Sequence, residues 1–306
     1  MQEKSDQRIG QKSIKQTVFP YLFILPAFLL HFIVVTVPAL SSLRMSLYDW
    51  NMIGFKEYIG FANYAKIFTK SSGVGAAIIH NLKWRAVFMV VPIVLGVIVA
   101  VMLTHIKRGQ MFFRTALFMP YVISAAVAGR IWMALMNPYY GINSIFKAWG
   151  WTNLASMKWL GNPKIALYSV AFVDNWHFWG FVMVLFLSAL QQVDPTLYEA
   201  ARIDGANRFQ EFIHISIPGI RQTIAFMFLM IIMWSFLTFD YVNVMTQGGP
   251  AGSTEIMSTL IYKEAFSKYH AGYASALCVI QCFLCVGVYF INQYIRKKGG
   301  LEENYD

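Results

Sequence analysis

Charge is what this chain of 306 residues has least of: only 13% of its residues are Asp, Glu, Lys or Arg, against about 25% in soluble domains. With 57% hydrophobic residues and a mean hydropathy of +0.50, it cannot be a soluble globular domain. An integral membrane protein is implied. Acidic residues are scarcer than basic ones, and the net charge is +10. No Lys/Arg run is interleaved with aromatics, so no nucleic-acid partner is expected and the basicity reads as membrane orientation. No GxxxxGK-S/T phosphate loop occurs, which leaves the chain without an ATP site of its own. Neither HExxH nor another clustered acid–base constellation is present, so no catalytic residue and no metal ligand is assigned. A membrane-embedded enzyme is disfavoured on that ground. An ion-coupled secondary transporter should carry an inverted repeat with paired broken helices, and no repeat is evident. The three cysteines, Cys278, Cys282 and Cys285, share one face of the last apolar run and lie in no loop. They read as small packing residues rather than a disulfide framework.

Long apolar runs are what the chain does have. Six predicted spans cover about 18–42, 84–104, 113–136, 165–191, 219–245 and 271–294. The first follows a polar, basic segment, 1–17. At roughly 25 residues it exceeds the 7–15 of a signal h-region, and Pro20, Pro26 and Pro38 predict kinks in it. Residues 43–83 are aromatic and polar, as suits a membrane interface and a short docked helix. Residues 137–164 form a loop rich in Trp, Gly and Asn. Thr246-Gln247-Gly248-Gly249-Pro250 is a turn signal, and 251–270 reads as a short amphipathic element. Arg108 and Lys107 in the tight 105–112 loop, with Arg296-Lys297-Lys298 ahead of the tail 296–306, orient the chain. Both termini, that loop and segment 195–218 are expected in the cytoplasm. The fold class is therefore an all-α integral membrane protein of six transmembrane helices, with a charged helical hairpin between spans four and five.

That hairpin is unlike its apolar neighbours. Asp194 is a helix cap, Pro195 the first helical residue, and Glu199 lies in the first turns. Gly205 interrupts the pattern at a cost of about 1 kcal/mol against Ala, predicting a bend between two short helices. An ordinary solvated loop and a partner-docking element both fit these residues.

Two stripes place polar groups at membrane depth. Asp174, His177, Phe178 and Phe181 fall at i, i+3, i+4 and i+7 on the fourth span, and Ile231, Trp234, Ser235 and Thr238 repeat that spacing on the fifth. A carboxylate, an imidazole and hydroxyls beside aromatic faces suit a sugar, and the same spacing also serves plain packing. Ionisable Arg130, Asp174 and Asp240 each cost about 2.5–3.5 kcal/mol at mid-bilayer. Arg130 is expected to pair with Asp174 or Asp240, or to face the pathway and meet an anionic solute. Snorkelling near a span end is the remaining reading, above all for Asp240.

Glu199-Ala200-Ala201, Asp204-Gly205-Ala206 and Ile215-x-Ile217-Pro218 together resemble the EAA loop of ABC-importer permeases. Tyr58 to Tyr64, Arg114 to Pro120, Asn137 to Asn143 and Ser188 to Gln191 are similarly placed, so the likeness runs over nearly the whole chain. Thr246 to Pro250 is similar to the TxGGP turn of the maltose-type first permease of carbohydrate importers. The resemblance implies one half of a permease heterodimer, with an ABC transmembrane domain over 18–295 and an EAA loop over 195–218, in a bacterial or archaeal cytoplasmic membrane. It implies an ATPase dimer in the cytoplasm that consumes ATP and Mg, and an extracytoplasmic solute-binding protein that delivers a carbohydrate. Within the loop, Glu199 would meet the ATPase, Ala200 and Ala201 would permit close approach, and Gly205 would set the bend, with Asp204, Ile215 and Pro218 completing the motif. The sugar-contacting positions of that family map onto His177, Phe178, Phe181, Ile231, Trp234, Ser235 and Thr238. Glycerol-3-phosphate permeases share these features and supply the alternative solute.

Overall fold

The computed structural model describes residues 14–298 apart from 55, 70, 71 and 107. Most of the predicted segment 1–17, Lys107 and the tail beyond 298 thus lie outside the described residues. Helix α1 (Ile14–His31) passes through a π-helical stretch, Phe32–Thr36, into α2 (Val37–Met45). The prolines predicted to kink this run leave it helical from Tyr21 to Met45, and none of its most apolar window is buried within the chain. Strands β1 (Tyr48–Trp50) and β2 (Lys56–Tyr58) follow as an antiparallel pair, Tyr48 opposite Tyr58. This small hairpin departs from the all-α expectation, but outside the spans. Buried Asn63 on α3 (Ala62–Ile67) donates to the carbonyls of Ser46 and Tyr48 at 2.9 and 3.0 Å, fastening the end of the first span to the docked helix.

Helix α4 (Val74–Thr104) begins ten residues before the predicted start of the second span. Hydropathy marks where the membrane ends, and the helix continues past that point. The third run is not one rod. Helices α5 (Gln110–Val122) and α6 (Ala125–Leu135) meet at 93°. Ser124 caps α6 by accepting from the Val127 amide at 3.4 Å, which is why the chain restarts as a helix there. Short helices α7 (Ile142–Ala148) and α8 (Thr152–Ala155) occupy the Trp-rich loop. Helix α9 (Ala166–Leu190) forms the fourth span. Then come α10 (Pro195–Ile203), α11 (Arg208–Glu211) and α12 (Ile217–Gly219). The fifth run comprises α13 (Arg221–Leu237) and α14 (Asp240–Met245), with a break at 238–239. After α15 (Met257–Tyr262), α16 (Ala271–Lys298) closes the chain. Among the described residues, five helices are long and apolar enough to cross a membrane, or six if the bent pair counts as one span.

The core sits between α4 and α9, the most extensive contact in the chain. Trp84, Phe88, Phe178, Val182, Met183 and Phe186 fill it. Within their most apolar stretches, α9 is mostly buried in the chain, whereas α4 keeps an exposed apolar face with Val90, Val94 and Ile98. A smaller cluster (Ile67, Val74, Met257, Leu260, Tyr273, Leu277) joins α3, α15 and α16 at one end. The cysteines do not pack inside: Cys278 and Cys282 are exposed and Cys285 half-buried, all as free thiols.

Beside that smaller cluster, buried Glu264 accepts from Lys268 Nζ at 2.5 Å and His270 Nδ1 at 3.0 Å. Burial pushes its carboxyl upward, but the hydrogen bonds from Lys268 and His270 win and hold it below the usual range. A carboxyl whose folded pKa is depressed stabilises the fold above its unfolded value, about 4.3, and loses that contribution as pH falls through the folded pKa. Melting of the purified protein should therefore drop as pH falls below about 5, and Glu264→Gln should flatten that part of the profile.

Candidate functional site

The segment between the fourth and fifth runs folds as its sequence suggests. The Asp194 carboxylate caps α10 by accepting from the Thr196 amide at 2.9 Å, and that bond holds it below the ordinary carboxylate range. At the other end the Ala206 amide donates to the Ala201 carbonyl at 2.9 Å and the Gly205 amide to that of Arg202 at 3.1 Å. This is a Schellman closure, which requires a left-handed residue after the cap. Gly205 supplies it with φ +83°. Asn207 then opens α11 with a capping box: its side chain accepts from the Phe209 and Gln210 amides, and its own amide donates to Gln210 Oε1 at 2.8 Å.

Two cross-links, invisible to sequence pattern, tie the arms of the hairpin together. Arg202 Nε meets the Glu211 carboxylate at 2.8 Å, and Tyr198 Oη lies 3.1 Å from Ser216 Oγ. The Glu211 contact raises the Arg202 guanidinium above its ordinary value. Glu211 is buried while Arg202 is exposed. Between the arms lies a cleft of about 300 Å³ lined by Ala201, Asp204, Gly205, Gln210 and His214. Of the residues picked out from the motif, Glu199, Ala200, Asp204, Gly205 and Pro218 are exposed, and Ala201 and Ile215 are half-buried. Ile203 is 87% and Phe209 69% exposed on the same hairpin. Large apolar side chains standing out of a charged element mark a contact surface.

The two stripes meet. Phe178 packs edge-on to Trp234 at 5.0 Å, and Phe181 lies 6.0 Å from the same indole. Tyr121, from the end of α5, stacks on Phe181 at 4.7 Å and contacts His177 at 5.6 Å; Tyr241 of α14 reaches His177 from the other side. Phe178, Ile231, Ser235 and Asp174 are buried, so they shape the site from behind. His177, Phe181, Trp234 and Thr238 are half-buried and present its open face. Sequence reasoning missed Tyr121, although Pro120 and Ser124 flank it as break and cap signals.

The polar members are largely engaged. Asp174 accepts from Trp84 Nε1 at 3.2 Å, which satisfies a buried carboxylate on α9 with a donor from α4. His177 Nε2 lies 2.7 Å from the Ile123 carbonyl. A carbonyl only accepts, so Nε2 carries the hydrogen and Nδ1 is left as an acceptor. Ile123 is the residue where α5 ends, and the histidine satisfies a backbone oxygen freed by the break. Ser235 Oγ accepts from Arg85 Nε at 3.2 Å. Thr238 stands at the second break: its hydroxyl donates to the Trp234 carbonyl at 3.3 Å, and its own carbonyl accepts from Ser258 Oγ. Of the three readings of Arg130, pairing with Asp174 or Asp240 does not form among the described residues. Exposed on α6, Arg130 makes no ion pair among the described residues, Asp174 is held by Trp84, and Asp240 is exposed. Among the described residues no group of His, Cys, Asp and Glu could hold a metal ion.

Residues 86–298 match the family of binding-protein-dependent transport system inner membrane components. The chain belongs to that family. The permease is 32% identical over 286 residues to the probable ABC transporter permease protein YurN of Bacillus subtilis, covering 92% of the permease and 97% of the relative. It is 34% identical over 265 residues to the diacetylchitobiose uptake system permease protein NgcF of Streptomyces coelicolor, covering 81% and 73%. Its fold is similar to that of a bacterial alginate ABC transporter solved with an alginate pentasaccharide-bound periplasmic protein. There the TM-score is 0.81 at 21% identity, over 93% of the permease and 96% of that chain. The permease is thus a transport component of an ABC importer rather than an enzyme.

Proposed function

We propose that the permease carries a carbohydrate, an oligosaccharide, along the aromatic slot formed by Tyr121, Phe181 and Trp234. The observation that carries this reading is the convergence of three half-buried ring faces from α5, α9 and α13 beside a His177 ring nitrogen free to accept. Apolar sugar faces stack on such rings and hydroxyls donate to such acceptors. The similarity to a diacetylchitobiose uptake permease, and to the fold of an alginate transporter, supports the same solute class. A second permease would complete the pore, with both termini and the α10–α12 hairpin in the cytoplasm. The ATPase dimer would bind ATP and Mg and grip the hairpin through Glu199, Ala200, Ala201 and the exposed Ile203. Because α9 runs directly into the Asp194 cap of α10, closure of the ATPase would displace the helix that carries His177 and Phe181. An extracytoplasmic binding protein would deliver the solute.

The test is uptake by the complete importer of the ligand found on its binding protein. Trp234→Ala should lower uptake about tenfold through loss of one aromatic contact and its buried area, with basal ATP hydrolysis retained. Unchanged uptake would remove the slot from the pathway. Glycerol-3-phosphate as the ligand would replace the sugar reading, and ion-driven uptake by this chain alone would overturn the ATP-driven one.

A further inference from the structure

Helix α6 has two faces, and its own chain covers one of them. Ala128 and Gly129 are buried, and a Cβ at Gly129 would lie 3.4 Å from Val244 Cγ1 of α14. On the same side Trp132 meets Phe172 and Trp176 of α9 edge-on, at 5.1 and 5.3 Å. The opposite half, Ala126, Val127, Arg130, Ile131, Ala134 and Leu135, is exposed. At 3.6 residues per turn these positions fall on one side of the helix. A face turned to water would be polar. This one is apolar apart from a single cation.

Helix α9 gives the depth of that cation. His177 bonds the Ile123 carbonyl just ahead of α6, and Trp132 near the end of α6 touches Phe172 and Trp176. Arg130 therefore lies level with positions 172–177 of α9. These are 6 to 11 residues from Ala166, where α9 starts (172 − 166 and 177 − 166), or about 9 to 17 Å at 1.5 Å per residue. At least 13 residues (190 − 177), about 20 Å, separate them from Leu190 at its other end. With 25 residues, α9 is about 37 Å long, against roughly 30 Å of hydrocarbon. Arg130 is thus within the apolar layer, where a cation costs about 2.5–3.5 kcal/mol and faces a protein partner or water rather than lipid. Among the described residues no carboxylate forms an ion pair with it.

We propose that the exposed half of α6 docks against a membrane helix of the second permease, one that presents an Asp or Glu to Arg130. The inference rests on the reading that a second permease completes the pore, and it states where on this chain that subunit sits. Charge complementarity selects the partner: the face lacks only a carboxylate, and a guanidinium takes one in bidentate fashion. Ala126 and Ala134 flank Arg130 one turn away on either side, which lets a second helix approach closely. Val127, Ile131 and Leu135 offer neither ring faces nor hydroxyls, so this face differs from the sugar slot. The chain's own membrane runs carry two acids, Asp174 held by Trp84 and the exposed Asp240. A second copy of this chain would have to offer Asp240.

The experiment uses the complete importer with an affinity tag on this chain, and measures how much second permease stays bound after extraction in detergent. Arg130→Glu, which sets like charges against each other, should lower that amount about tenfold or more. Arg130→Lys, which keeps the charge but not the fork, should lower it less. Arg130 forms no ion pair within its own chain, so the amount of this chain in the membrane should not change. Suppressors that restore assembly of Arg130→Glu should replace an acid in a span of the second permease by Lys or Arg. A photoreactive phenylalanine analogue at Ile131, on the same face, should form an adduct with that subunit, and Asp240→Asn should assemble normally. Full assembly of Arg130→Glu, with only lipid labelled from Ile131, would overturn the proposal in favour of a snorkelled side chain. Full assembly with lost uptake would overturn it in favour of a solute contact. Loss of assembly in Asp240→Asn, with adducts between two copies of this chain, would overturn it in favour of a homodimer. An importer that contains no second permease would refute the underlying reading itself.

Discussion

A Gly205→Val importer will lose transport and solute-stimulated ATP hydrolysis by about tenfold or more while its membrane spans stay folded. The cause lies in the backbone alone. Gly205 has φ +83°, and a Cβ added there would meet nothing within 4 Å. Packing therefore does not resist valine; conformation does. A left-handed residue with a Cβ costs about 1–2 kcal/mol, more when β-branched, and 1.4 kcal/mol is already tenfold in an equilibrium. The strain falls on the Schellman closure that turns α10 into α11, so the hairpin opens and the cleft of Ala201, Asp204 and Gln210 loses its shape. Gly205→Ala should show the same defect in milder form. Uptake and stimulated ATPase measured on the same proteoliposomes, with unchanged melting of the complex, would distinguish this from misfolding. Full coupling in Gly205→Val would mean that the bend is incidental.

Gly180→Leu will have the larger effect on the fold itself. A Cβ at Gly180 would lie 2.1 Å from the Leu117 carbonyl oxygen and 3.0 Å from its carbon. These are backbone atoms of α5, so relief requires moving a whole helix. Overpacking of this kind costs about 1–3 kcal/mol for modest insertions, and leucine inserts far more than one methyl group. The same approach of α9 to α5 sets the Ile123 carbonyl within reach of His177 one turn away, so the site would be lost with the packing. Yield of monodisperse complex should fall about tenfold. The control is Gly287→Ala on α16, where a Cβ meets nothing within 4 Å and yield should hold. Normal assembly of Gly180→Leu would show that α5 and α9 need not touch.

How much of this was legible before the structure depends on the range of each interaction. The hairpin of α10 and α11 was readable because its causes are local: Asp194, Pro195 and Gly205 act within a few residues of themselves. The stripes on α9 and α13 were readable as faces, since helical spacing places Phe178 and Phe181, or Ile231 and Ser235, together. Their mutual contact was not readable from spacing, because it depends on how two rods pack. The break after Val122 was hidden by uniform apolarity. Pro120 and Ser124 signalled it, but hydropathy registers membrane preference and not helix continuity. The same limit misplaced the start of α4, where Val74 to Lys83 is helical yet too polar to score as a span. Asp174 taken up by Trp84, and Arg85 stacked on Phe236, join positions 90 and 151 residues apart in the chain (174 − 84 and 236 − 85). No local pattern announces such pairs, and of the three readings of Arg130 the pairing with Asp174 or Asp240 does not form among the described residues.

The proposed function requires the hairpin to face the cytoplasm and be held by an ATP-hydrolysing partner. A photoreactive phenylalanine analogue placed at Ile203, the most exposed large apolar residue of α10 at 87%, probes that contact directly in inverted membrane vesicles carrying the whole importer. The account predicts a single protein adduct with the ATPase subunit, its yield changing when ATP is bound. An adduct with the solute-binding protein, or labelling of lipid alone, would put the hairpin on the wrong side of the membrane and contradict it.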